Sequence, residues 1–211
     1  MSAGHDPNAD LIEQARRQVN RLAEEIARIS DSEMPPTEYY SEFLQKLMQA
    51  IAAPAGAVWL KTPQGNLQLQ YQINMRQVGL DRNDAARAAH GELLRQSALK
   101  GQPAALPPHS GLGTPEGGGV APGNPTDFYI LIAPIQVDKQ TIGLVEIWQD
   151  PSRGGQAMQG FLQFILRMAS LASHYTRNHQ LRNYVSQQQV WTSLESFARS
   201  VHASLRISSV S

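Results

Sequence analysis

Few residues in this 211-residue chain could do chemistry, and most of those lack the partners the chemistry needs. There is no cysteine, which removes disulfides, thiolate metal sites, a cysteine nucleophile and any cofactor held through a thioether. His174 and His179 stand five apart, whereas two histidines on one helical face share a metal best at a spacing of about four residues, and no carboxylate joins them at helical spacing. They read as ordinary surface or interface histidines. His109-Ser110-Gly111 lacks the nucleophile-elbow pattern and has no strand feeding into it. Gly111-Leu112-Gly113 opens like a dinucleotide fingerprint, but Glu116 occupies the position of the third glycine, so this is loop composition. Glu146 is the exception. A carboxylate in an apolar strand must be paired, hydrated or near an edge, and a salt bridge at the sheet edge is the simplest reading. The chain therefore reads as non-enzymatic, with no cofactor and no metal.

Composition narrows the partners. Formal net charge is zero and 17% of residues are charged, so no basic field attracts phosphate backbones or anionic lipid, and nucleic acid is not an expected partner. The first ten residues are polar, and no apolar run approaches the roughly 20 residues that cross a bilayer. The expectation is a soluble, cytoplasmic chain without direct membrane contact.

The elements that must position these residues begin with a helix in residues 1–33. Ile12, Ala15, Val19, Leu22, Ile26 and Ile29 alternate steps of three and four, a narrow stripe suited to packing on another helix. Asp10 with Glu13, or Asp6 before Pro7, supplies its start, and Met34-Pro35-Pro36 ends it. A second helix, capped by Thr37, carries a broad apolar face of Tyr40, Phe43, Leu44, Leu47, Met48 and Ile51, wide enough for a sheet. Residues 57–61 then read as a strand. A Thr-Pro-Gln-Gly-Asn turn leads into residues 67–73, where Leu67, Leu69, Tyr71 and Ile73 alternate with glutamines.

Residues 84–100 read as a helix with Ala85, Ala88, Ala89, Leu93, Leu94 and Leu99 turned inward. Residues 107–125 are dominated by glycine and proline and read as a flexible loop inserted within the domain. Two long strands follow, 127–137 and 140–149, joined by a tight turn at Asp138-Lys139. Phe128, Ile130 and Ile132 on one side and Tyr129, Leu131 and Ile135 on the other make the first apolar on both faces, as in the middle of a covered sheet. A long connecting helix spans 156–205 and outruns one domain; the tail, 206–211, reads as cut from a longer chain. The stripes of the two terminal helices predict a homodimer through Ile12, Val19, Leu22, Ile26, Met168 and Tyr175, since the first stripe has no obvious face of its own domain to cover.

The stretch Ala133-Pro134-Ile135-Gln136-Val137-Asp138-Lys139-Gln140-Thr141-Ile142-Gly143-Leu144-Val145-Glu146-Ile147 resembles the "apolar, Pro, apolar, turn, Ile-Gly-Val-Leu-x-Leu" hairpin of GAF domains, and the element order over residues 37–171 is similar to that family. The resemblance implies an α+β fold: a GAF-like antiparallel sheet over residues 34–155, covered by helices on both faces, with long N- and C-terminal helices. It implies a small-molecule pocket on one sheet face, roofed by the 84–100 helix, nearest which Arg76, His90, Tyr129, Leu131, Glu146 and Trp148 are placed; Trp59 and Trp148 read first as core. The family's spaced Asn-Lys-Phe-Asp-Glu cyclic-nucleotide signature is not visible, and bilin attachment requires a cysteine. Phe197 to Leu205 resembles the first helix of a further such domain, as in GAF modules ahead of a membrane-fusion, secretion-adaptor region. The implied role is a regulatory or sensory module that dimerises and relays a signal to further domains of a longer chain, with a small-molecule sensor as the alternative. A methionine-sulfoxide-reductase activity on this fold would need the missing thiols.

Overall fold

Alternating apolar positions in the strands build a sheet that buries both of its faces. The computed structural model describes residues 7–80, 83–111 and 120–207; the side chains of 7–9, 11–12, 186–187 and 189–207 lie outside the description. Its elements are α1 (Pro7–Ser30), α2 (Pro36–Ile51), β1 (Ala55–Lys61), β2 (Leu67–Ile73), α3 (Asp84–Lys100), β3 (Ala104–Leu106), β4 (Tyr129–Val137), β5 (Gln140–Gln149) and α4 (Gly155–Ile207), with a 3-10 turn at Met75–Val78. The chain divides into two compact units, Met1–His174 and Tyr175–Ser211.

The five strands are antiparallel in the order β2-β1-β5-β4-β3, so β5 lies at the centre and β4 between β5 and a three-residue edge strand. Asp138 and Lys139 both take positive φ, 49° and 66°, the conformation in which a two-residue hairpin turn follows the right-handed twist of its strands. β5 approaches β1 closely at Gly143, where a Cβ would stand 2.4 Å from the backbone oxygen of Trp59. Only glycine fits there.

Register separates the two faces. Ala55, Ala57 and Trp59 share one face with Leu144, Glu146, Trp148, Ile130 and Ile132, and α3 covers it with Leu93, Leu94 and Ala98, beside Val78 and Leu80. The opposite face carries Leu131, Ala133, Ile135, Val145 and Ile147, all buried. Leu44 and Met48 of α2 meet Ile147 there across Gly56. The first half of α4 buries Met158, Leu162, Ile165, Met168, Ala169 and Ala172, and its Ser173 hydroxyl accepts the backbone N–H of Gln136.

Several expectations change. α2 begins at Pro36 and its cap position is Pro35, so Thr37 sits in the first turn and caps nothing. α1 does have a local face to cover: it folds antiparallel onto α2, with Leu22 and Ile26 buried, the Ser30 hydroxyl 2.9 Å from that of Tyr39, and Lys46 Nζ donating to Glu25 at 2.8 Å. Leu22, Ile26 and Met168 thus belong to the interior of their own chain, Val19 is half-buried, and the side chain of Ile12 lies outside the description. Tyr175, in the second unit, stacks on His179 with ring centroids 5.9 Å apart. The sequence reading missed β3 and the Met75–Val78 turn, which are too short for periodicity to register. The ends of the Gly/Pro loop are anchored by Asn124, fully buried, whose amide donates to the carbonyls of Leu106, Pro107 and Phe128 while its oxygen accepts from Thr126. Leu112, Gly113 and Glu116 lie outside the described residues.

Candidate functional site

The covered α3 face holds the one carboxylate that the strand pattern singles out. Glu146 is on central β5, not at an edge, and is fully buried. Its Cα partner on β1 is Ala57, whose small side chain leaves room for a carboxylate in the layer between sheet and helix. Both oxygens are engaged: Trp59 Nε1 donates to Oε2 at 2.9 Å, and His90 Nε2 lies 2.6 Å from Oε1. An unpaired buried carboxylate costs several kcal/mol, roughly, and these two partners from β1 and α3 offset it.

His90 is itself buried. Burial opposes protonation of its ring, but the charge of Glu146 and the hydrogen bond to it together outweigh that, so the imidazole is held above its usual value of 6.5. Its ring is also tilted against Trp148, with centroids 6.0 Å apart. The result is a buried carboxylate–imidazole pair flanked by the indoles of Trp59 and Trp148.

Outside this network a concavity of about 640 Å³ opens between α3, the end of β1 and the β1–β2 turn. Trp59, Leu67, Met75, Leu80 and Leu94 supply its apolar wall, Gln64 and Asn66 its polar rim, and His90 its inner side. Lys61, Arg87 and Arg95 also line it, and among the described residues none that lines it is acidic. Arg87 pairs with Asp84, and Arg95 with Glu92 through two hydrogen bonds of 2.7 and 2.6 Å, which hold the Glu92 carboxyl down at about 2. Volumes of this size suit small molecules, which such clefts bind by an apolar body and a few placed polar groups.

The residues expected at the pocket divide. His90 and Glu146 are brought together, and Trp148 packs beside them as core, fully buried. Tyr129 and Leu131 are not there: strand alternation puts them on the opposite face from Ile130 and Ile132. Arg76 is exposed on the 3-10 turn and does not line the cleft, where Arg87 and Arg95 stand instead. Trp59, read as core, is half-buried and forms the wall. The lysine and arginines were missed because a half-buried cation at a strand end and exposed cations on a helix carry no periodic signal.

The other polar candidates are spoken for. Ser110 donates to the carbonyl of Pro107 rather than to His109, whose ring nitrogen lies 2.8 Å from Asp127. His174 Nε2 lies 3.0 Å from Asp31, in the turn that follows α1, a carboxylate that no helical spacing reveals, and His179 bonds Asn183. Among the described residues no group of three or more histidine, aspartate or glutamate side chains is placed to hold a metal, and no helix is long and apolar enough to cross a membrane.

No family model and no curated protein matches the sequence. Solved structures do match its fold. The GAF domain of an A. aeolicus protein in an inactive state is 16% identical and aligns over 77% of this chain and 98% of its own, with a TM-score of 0.54. The GAF domain of a phosphoenolpyruvate-protein phosphotransferase from Acinetobacter is 14% identical over 78% and 93% of the two chains, at 0.52. That of the potassium sensor histidine kinase of Escherichia coli is 16% identical over 78% and 96%, at 0.50.

Proposed function

We propose that this chain, which has the fold of a GAF domain, is a non-enzymatic regulatory module that takes a small molecule in the cleft beneath α3. The observation that carries the reading is Gly91. It lies inside α3 on the cleft wall, and a Cβ built there meets nothing within 4 Å among the described residues, so no packing there demands a glycine. Glycine in a helix interior costs about 1 kcal/mol against alanine. That cost leaves the mouth of a 640 Å³ concavity open. The buried Glu146–His90 pair behind it fixes the wall on which a ligand would rest.

Ligand binding stabilises the state that binds. Thermal melting of the wild type and of Gly91→Leu, which places a side chain in this open space, tests the reading across a panel of metabolites. At least one compound is expected to raise the wild-type midpoint and leave the variant unmoved. Equal shifts in both proteins for every active compound would place binding elsewhere.

Signal relay and self-association enter through the second unit. Leu181, Tyr184 and Val185 of α4 are 56%, 62% and 53% exposed at i, i+3 and i+4, a short apolar stripe of the kind helices pair through. The dimer contact is therefore assigned to this stripe in preference to Leu22 and Ile26. Sedimentation of a Leu181→Ser, Val185→Ser double variant is expected to give a monomer; an unchanged dimer sinks the assignment.

A further inference from the structure

The cleft selects for charge as well as shape. Among the described residues its charged lining side chains are basic, and the Glu146 carboxylate behind the wall has both oxygens occupied by Trp59 and His90. Of the three cations, Arg87 and Arg95 are paired with Asp84 and Glu92 on the outer surface of α3. Lys61 differs. Among the described residues its ammonium makes one hydrogen bond, 3.2 Å to the carbonyl of Ala98, and faces no carboxylate. An ammonium carries three donors, so two remain for an incoming acceptor.

Its setting makes those donors selective. Lys61 is half-buried at the end of β1, two residues after Trp59, and is held from below by a carbonyl in the last turn of α3. That hydrogen bond anchors the ammonium where Lys61 lines the cavity. Trp59, Leu67, Met75 and Leu94 present an apolar surface next to it. A neutral apolar ligand would leave the ammonium without a counter-charge in a partly enclosed space, whereas an anionic group would complete its hydrogen bonds.

We infer that the ligand is an amphipathic organic anion, with an aromatic or aliphatic body against Trp59 and a carboxylate, sulfonate or phosphate group on Lys61. This rests on the cleft being the ligand site, and two probes separate the claims. Anilinonaphthalene sulfonate and phenylnaphthylamine share a fused-ring and phenyl skeleton and differ by the anionic group. Both are titrated into the intact protein, into Gly91→Leu, into Lys61→Gln and into Lys61→Arg. The sulfonate is expected to bind one per chain and about tenfold more tightly than the amine. Lys61→Gln is expected to abolish that preference and Lys61→Arg to restore most of it, while Gly91→Leu weakens both probes. Salt should erode the preference and leave amine binding unchanged. Equal affinities in the wild type, or a preference that survives Lys61→Gln, overturn the anion assignment while the cleft stands. Binding that is insensitive to Gly91→Leu for both probes overturns the cleft itself, and the assignment with it.

Discussion

The two faces of the sheet are built on different principles although the same strands supply both. Against α2 and α4 the face is filled by Leu131, Ala133, Ile135, Val145 and Ile147, apolar side chains at close packing. Against α3 a buried carboxylate, an imidazole and two indoles stand where apolar residues would have sufficed, and beyond them the packing opens into a cleft. One face stabilises the fold by burial. The other spends part of that stability on polar groups held in fixed positions, a cost expected where something must be recognised.

The largest effect tests how charged the α3 face is. His90→Ala removes one partner of a fully buried carboxylate and is expected to cost about 4 kcal/mol in denaturant unfolding. A loss below about 1 kcal/mol would mean that the pair contributes no more than a surface contact, and the contrast between the faces would collapse. Leu44→Ala, on the opposite face, is expected to cost about 3 kcal/mol through lost burial and a cavity. The two should separate in their consequences: the folded fraction of Leu44→Ala should bind the naphthalene probes as the wild type does, and His90→Ala should not.

A smaller effect with the opposite sign comes from Gly91→Ala. With nothing among the described residues within 4 Å of the added Cβ, it should raise stability by about 1 kcal/mol, read as a higher denaturant midpoint at constant slope. Destabilisation would show that the glycine answers to packing after all.

The polar face also makes stability depend on pH. Because His90 in the fold is held above 6.5, the folded chain retains a proton that the unfolded chain releases first. The contribution is fully present below the ordinary imidazole range and is lost as pH rises through the raised value. Wild-type unfolding free energy should therefore fall over that interval relative to His90→Gln. A rise would contradict the ion pair.

How much of this the sequence carried depends on the period of each signal. β2, α3 and β5 were delimited to the residue, because alternation or helical spacing runs their full length between turn residues. The oddity of Glu146 was legible from one strand, but its partners were not: Trp59 and His90 are 87 and 56 residues away, and only the register of β1 on β5 and the docking of α3 bring them together. Tyr129 and Leu131 were misplaced because β4 is apolar on both sides, so its pattern does not say which set faces which helix. The same loss of information misled the reading of α1. Its stripe was recognised, but a narrow apolar stripe does not distinguish a second chain from α2, which lies across a short turn at Met34-Pro35-Pro36.

A small-molecule site beneath α3 is tested most directly by native mass spectrometry. Wild type and Gly91→Leu would be equilibrated side by side with the same small-molecule cell extract. A discrete non-covalent adduct is expected on the wild type, released by mild activation and absent from Gly91→Leu. Bare protein in both samples, or the same adduct on both, would contradict it.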